Sequence, residues 1–90
     1  MTTYLAKIYV TLKPTVNDPQ GRTIEKGLKS LGFESVKAVR AGKFLEITTC
    51  EKTKIAAEKH INDMCKKLLA NPIIEEYRFE LLQMEETDSA

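Results

Sequence analysis

Hydrophobic and polar positions change their period repeatedly along the chain. From Tyr4 to Leu12 they alternate, with Tyr4, Ala6, Ile8, Val10 and Leu12 on one side and Leu5, Lys7, Tyr9 and Thr11 on the other. A period of two predicts a β-strand, with the first set facing the core. Pro14 ends it, having no N–H to give to a sheet. The apolar spacing then lengthens, and Ile24, Leu28 and Leu31 fall at i, i+4 and i+7 as one helical stripe expected to be buried. Asp18 is the expected N-cap, Pro19 suits the first helical position, and Gly32 suits a left-handed residue just past the end. The helix is therefore expected over Pro19 to Leu31. Gly27 inside it costs about 1 kcal/mol relative to Ala, and a close approach of helix to sheet is one explanation for it.

Two further strands are expected, from Ser35 to Arg40 and from Lys43 to Thr49, joined as a hairpin by Ala41-Gly42-Lys43. In the second of these, Leu45 and Ile47 point inward and Phe44, Glu46 and Thr48 outward. Thr53 is a candidate cap for a second helix running to Leu69, whose buried stripe is Ala57, Ile61, Met64, Cys65 and Leu68. Asn71-Pro72 stops that helix. Ile73 to Leu82 alternates again, with Tyr77, Phe79 and Leu81 on one side. The order is βαββαβ, which predicts an α+β, ferredoxin-like two-layer sandwich. Its sheet is four-stranded and antiparallel, with both helices on one face. One domain spans residues 1–84, and the acidic stretch 85–90 is expected to be a disordered tail.

The sheet face without helices changes the picture. On this register Leu5, Tyr9, Val39, Phe44, Ile74 and Leu82 point away from the helices, among Lys37, Glu46, Arg78 and Glu80. A face this apolar suggests self-association, centred on Leu5, Tyr9, Val39 and Phe44. Scattered surface apolar residues are the plain alternative.

Composition narrows the function classes. In 90 residues, Lys and Arg number 14 against 13 Asp and Glu. Near-neutral charge gives no field for a nucleic acid or an anionic membrane. Two cysteines, Cys50 and Cys65, show no metal-ligand spacing and read as free packed thiols of a cytoplasmic protein. No signal peptide and no membrane-spanning run is read.

Candidate chemistry is sparse. His60 is the only histidine, and the sequence places no carboxylate or thiol to orient it. Glu75 and Glu76 are neighbours on a strand and face opposite sides. The glycines are isolated, so no phosphate loop is read. Arg40 and Lys43, flanking Gly42, could grip a phosphate or an acidic residue of a partner. A solvated turn with charges guarding a sheet edge is an equal reading. No catalytic or metal-binding residue is assigned.

Asp18-Pro19-Gln20-Gly21, Leu31-Gly32-Phe33, Val39-Arg40-Ala41-Gly42-Lys43 and Asn71-Pro72-Ile73-Ile74-Glu75 together resemble the PurS subunit of phosphoribosylformylglycinamidine (FGAM) synthase. The resemblance runs from Tyr4 to about Leu82. It marks Asp18, Pro19, Gly21, Gly32, Asn71 and Pro72 as motif positions. It implies a non-catalytic subunit that dimerises, or goes on to a tetramer, and bridges a glutaminase and a larger synthetase. Glutamine-derived ammonia would then reach formylglycinamide ribonucleotide in purine biosynthesis. ATP and magnesium would belong to the synthetase partner, with no cofactor on this chain. By the same resemblance, partner contacts are placed at Arg40, Gly42 and Lys43. The alternative is a regulatory domain of the same architecture that binds a small effector.

Overall fold

The computed structural model describes residues 1–84; the expected tail, 85–90, lies outside the described residues. Strand β1 (Thr2–Leu12) is followed by α1 (Pro19–Ser30), β2 (Gly42–Glu51), α2 (Lys54–Met64), a π-helical turn (Cys65–Leu69) and β3 (Glu75–Gln83). The sheet has the order β2-β1-β3, with β1 antiparallel to both neighbours. The α+β class and the antiparallel sheet are as expected, but among the described residues the sheet has three strands, not four, and one helix packs on it, not two. The core sits where α2 crosses the central strand. Ala6, Ile8 and Val10 of β1 meet Ile61 and Cys65, with Leu45, Ile47, Tyr77, Phe79 and Leu81 packed around them. The inward face read from the alternation is therefore the observed one.

Ser35 to Arg40 is not a strand among the described residues. The polar groups of this region are spent elsewhere. The Ala41 N–H donates to Asp18 Oδ2 at 2.7 Å. The Arg40 guanidinium donates to the carbonyls of Val16, Leu12 and Lys13 at 3.2, 3.3 and 2.9 Å. These bonds tie the segment across the end of the sheet, so it does not fold back along the free edge of β2. The expected hairpin is thus a corner, and Val39 is not on the sheet face. Ile74 also precedes β3 and gives its carbonyl to the Lys13 N–H at 2.9 Å.

The helices depart from expectation in two ways. Only α2 packs on the sheet. Apart from Gly21, α1 buries no residue, and Ile24 and Leu31 are 42% and 75% exposed. The stripe is present and Leu28 is partly buried, but none of its residues joins the core. In α2 the expected stripe holds at Ala57, Ile61 and Cys65, and fails at Leu68, which is 83% exposed. The cause is the π turn, where the Ala70 N–H reaches Cys65 O at 2.9 Å. The wider turn rotates Leu68 outward and brings Leu69 to the core instead.

Capping follows the sequence. Thr53 Oγ1 accepts the Ala56 N–H at 3.1 Å. Gly32, at φ +99°, ends α1. There Phe33 N–H bonds Leu28 O and Gly32 N–H bonds Lys29 O, the paired closure that a left-handed residue permits. Asn71 Oδ1 accepts the Ile73 N–H at 3.1 Å, and Asn71 O accepts the Glu75 N–H at 2.7 Å, which turns the chain into β3.

Candidate functional site

The Asp-Pro-Gln-Gly motif builds a corner at the end of the sheet. Asp18 is 5% exposed, and its two oxygens accept from Gly21 N–H at 2.9 Å and Ala41 N–H at 2.7 Å. The Ala41 bond most of all, then the Gly21 bond, holds its carboxyl below the usual carboxylate range, with Arg40 adding to the effect. Gly21 is needed here for space, since a Cβ would lie 2.2 Å from Val39 O. Asp18, Pro19 and Gly21 are thus one clasp joining the start of α1 to the start of β2. Arg40 is part of it through its three carbonyl bonds. Lys43 Nζ reaches Leu69 O at 3.2 Å and satisfies a carbonyl left free at the helix end. A Cβ at Gly42 would lie 2.6 Å from Val10 O. Every partner-contact residue proposed from the sequence therefore also has a local task.

The helix-free face is apolar at its ends and charged across its middle. Tyr9 stands opposite Phe44 and Arg78. The Tyr9 and Phe44 rings are 5.1 Å apart, and the Arg78 guanidinium lies 4.0 Å over the Tyr9 ring. Leu5 pairs with Leu82 at the other end. Between them Lys7 stands opposite Glu46 and Glu80. The structure brings Leu5, Tyr9 and Phe44 onto this face and leaves Val39 off it.

A further arrangement escaped the sequence. His60 Nδ1 lies 2.8 Å from Glu51 Oε1, and Thr49 Oγ1 donates to Glu51 Oε2 at 2.8 Å. A carboxylate only accepts, so the shared proton sits on Nδ1. The His60 bond, then the Thr49 bond, lowers the Glu51 pKa against the opposing effect of burial. The partners are nine positions apart across a strand end and a helix, a relation that no local spacing rule encodes. His60 also rims a cavity of about 510 Å³ beside α2, lined by Ile47, Met64, Leu68 and Leu69. A second, of about 500 Å³, lies toward β3, around Cys65, Ala70, Pro72 and Tyr77. Burial pushes the Cys65 thiol up, which keeps it protonated and unreactive. Among the described residues, no three of His, Cys, Asp and Glu cluster as metal ligands, and no helix is long and apolar enough to cross a membrane.

The sequence model of the PurS family, described as phosphoribosylformylglycinamidine (FGAM) synthase, matches residues 5–83. The chain belongs to the PurS family. It is 43% identical to the PurS subunit of Synechocystis over 82 residues, 91% of this chain and 82% of that protein. It is 44% identical to the Bacillus subtilis PurS subunit over 78 residues, 87% of this chain and 92% of that protein. A PurS crystal structure from Methanocaldococcus jannaschii superposes with a TM-score of 0.81 at 39% identity, covering 91% of this chain and 99% of that one. A chain in the structure of PurLQS from Thermotoga maritima gives 0.84 at 33% identity, covering 91% and 100%. As a PurS, the chain is a subunit of FGAM synthase, a ligase of purine biosynthesis. The effector-binding alternative is not favoured. The motif segments that carried the resemblance all lie within the matched residues.

Proposed function

We propose that this chain is the non-catalytic bridging subunit of its synthase in the cytoplasm. It self-associates and holds a glutaminase and an ATP-using synthetase together, so that glutamine-derived ammonia reaches formylglycinamide ribonucleotide. ATP and magnesium are held by the synthetase. The observation that carries this reading is the match across 100% of a chain found in the PurLQS assembly of Thermotoga maritima. Apolar surface that the chain itself does not cover agrees with it, at Ile24, Leu31 and Phe44.

The corner at Arg40, Gly42 and Lys43 meets a partner through its fixed shape, because both cations already hold backbone carbonyls. Leu5, Tyr9 and Phe44 form one self-contact. Where two such interfaces combine, dimers pair into tetramers.

The test is omission. The glutaminase and the synthetase are assayed for FGAM formation from glutamine with and without this chain. Loss of glutamine-dependent turnover without it, while turnover with added ammonia remains, is the expected result. Unchanged glutamine-dependent turnover without the chain overturns the proposal.

A further inference from the structure

Strand β3 is paired on one side. Among the described residues its neighbour is β1, and its other edge meets no strand. The Met84 N–H donates to Thr3 O at 2.8 Å, and the Lys13 N–H donates to Ile74 O at 2.9 Å. Backbone groups of an antiparallel strand turn to alternate sides from one residue to the next. The even-numbered residues of β3 therefore bond to β1. Tyr77, Phe79, Leu81 and Gln83 direct their N–H and C=O groups to the open side. Glu75 shares that direction, but its N–H is already taken by Asn71 O at 2.7 Å.

The side chains along this edge are unfinished as well. Tyr77, Phe79 and Leu81 pack against the core, yet each is only partly buried. Beside Tyr77 lies the cavity of about 500 Å³ bounded by Cys65, Ala70 and Pro72. An apolar row next to an apolar hollow, along a line of unpaired backbone groups, suits an added strand. Its main chain completes the ladder, and its alternate side chains supply the packing.

Sheet edges that stay bare are guarded by a proline, a bulge or a charge pointing inward. The opposite edge, β2, has such a charge. Lys43 stands opposite the buried Val10, so its side chain leaves the strand on the core side. β3 has no proline along its length. Its inward row from Tyr77 to Leu81 is apolar, and Glu75 at its start is engaged by the Asn71 N–H at 2.7 Å. The charges of β3 lie mainly on the outer row, at Glu76, Arg78 and Glu80. Arg78 leans toward β1, over the Tyr9 ring at 4.0 Å, which leaves carboxylates to set the charge of the open edge. A second copy of β3 brings the same acidic excess, whereas a basic strand opposes it favourably.

We propose that the open edge of β3 receives an extended, basic segment of a partner subunit as a fourth strand, with an apolar side chain of that segment filling the cavity beside Tyr77. This rests on the reading of the chain as a bridging subunit. The corner at Arg40 and Lys43 leads into β2, so the two docking surfaces lie on opposite edges of the sheet and can hold two proteins at once.

The test measures hydrogen exchange in the full chain, alone and bound to the purified glutaminase or synthetase. With one of the two, deuterium uptake over residues 75–83 is expected to fall through protection of the amides of Tyr77, Phe79, Leu81 and Gln83. Capture of a Glu76→Lys, Glu80→Lys double variant by that protein is expected to weaken about tenfold, with an unchanged melting curve. Gln83→Pro removes one open N–H without touching the core and is expected to weaken capture too. Unchanged uptake over 75–83 when both proteins are bound overturns the proposal, and the bridging role then stands through other surfaces. So does uptake that falls with the concentration of the chain alone and no further with either protein, which assigns the edge to a second copy. Unaltered capture of the double variant overturns the basic character of the segment. An unmodified chain captured by neither protein overturns this proposal and the bridging role together.

Discussion

The carboxylate of Asp18 accepts the backbone N–H of Ala41 at 2.7 Å, across 23 positions of chain. The same side chain caps α1 through Gly21 N–H. One residue therefore starts a helix and anchors the beginning of a strand. With its pKa lowered, the ionised form contributes stability above the ordinary carboxylate pKa, and that contribution is lost as pH falls through the lowered value. Asp18→Asn keeps the shape and removes the charge. Its thermal midpoint should lie several degrees below that of the unmodified chain at neutral pH. The gap should close in acid. Calorimetry across pH checks both statements, and a constant gap would assign the effect to shape alone.

Gly21 and Gly27 lie in the same helix and answer to different forces. Alanine is the better helix former at both, by about 1 kcal/mol. At Gly21 the new Cβ would meet Val39 O at 2.2 Å, and backbone must move. At Gly27 nothing lies within 4 Å. Gly21→Ala should destabilise despite its propensity, while Gly27→Ala should stabilise by roughly 0.5–1 kcal/mol. Chemical denaturation of the two variants side by side distinguishes them, and equal shifts would refute the close approach at Val39.

Arg40 supports three carbonyls of the loop after β1. Arg40→Ala should lower the thermal midpoint as well as weaken capture of the synthetase. Lys43→Ala removes one exposed bond to Leu69 O and should change stability little. Pull-down paired with melting curves tests this. An Arg40→Ala chain that melts normally yet fails to bind would return the guanidinium to a direct partner contact.

Phe44 is 52% exposed and stacks beside Tyr9. Phe44→Glu should fold, because no core residue depends on it, and should assemble into smaller species by light scattering. An unchanged mass would remove the Tyr9 and Phe44 surface from the account of assembly.

Much of this molecule was written in local patterns. Alternation placed the buried face of β1, since side chains of a strand must take opposite sides. Asp18, Gly32, Thr53 and Asn71 marked their boundaries, because each satisfies backbone groups within a few residues of itself. The order and spacing of those marks also led to the PurS family. Tertiary structure alone decided the rest. Val36 and Val39 suit a strand, but a strand forms only where its N–H and C=O groups find an edge, and here Asp18 and Arg40 engage the segment first. The π turn after Met64 reversed Leu68 and Leu69, a shift of one residue per turn that a fixed helical period cannot express. Glu51 met His60 through packing of a strand end on a helix. The stripe on α1 showed that the helix has an apolar side. What lies against that side depends on where the chain is clasped in space, and a pattern of spacings carries no such information.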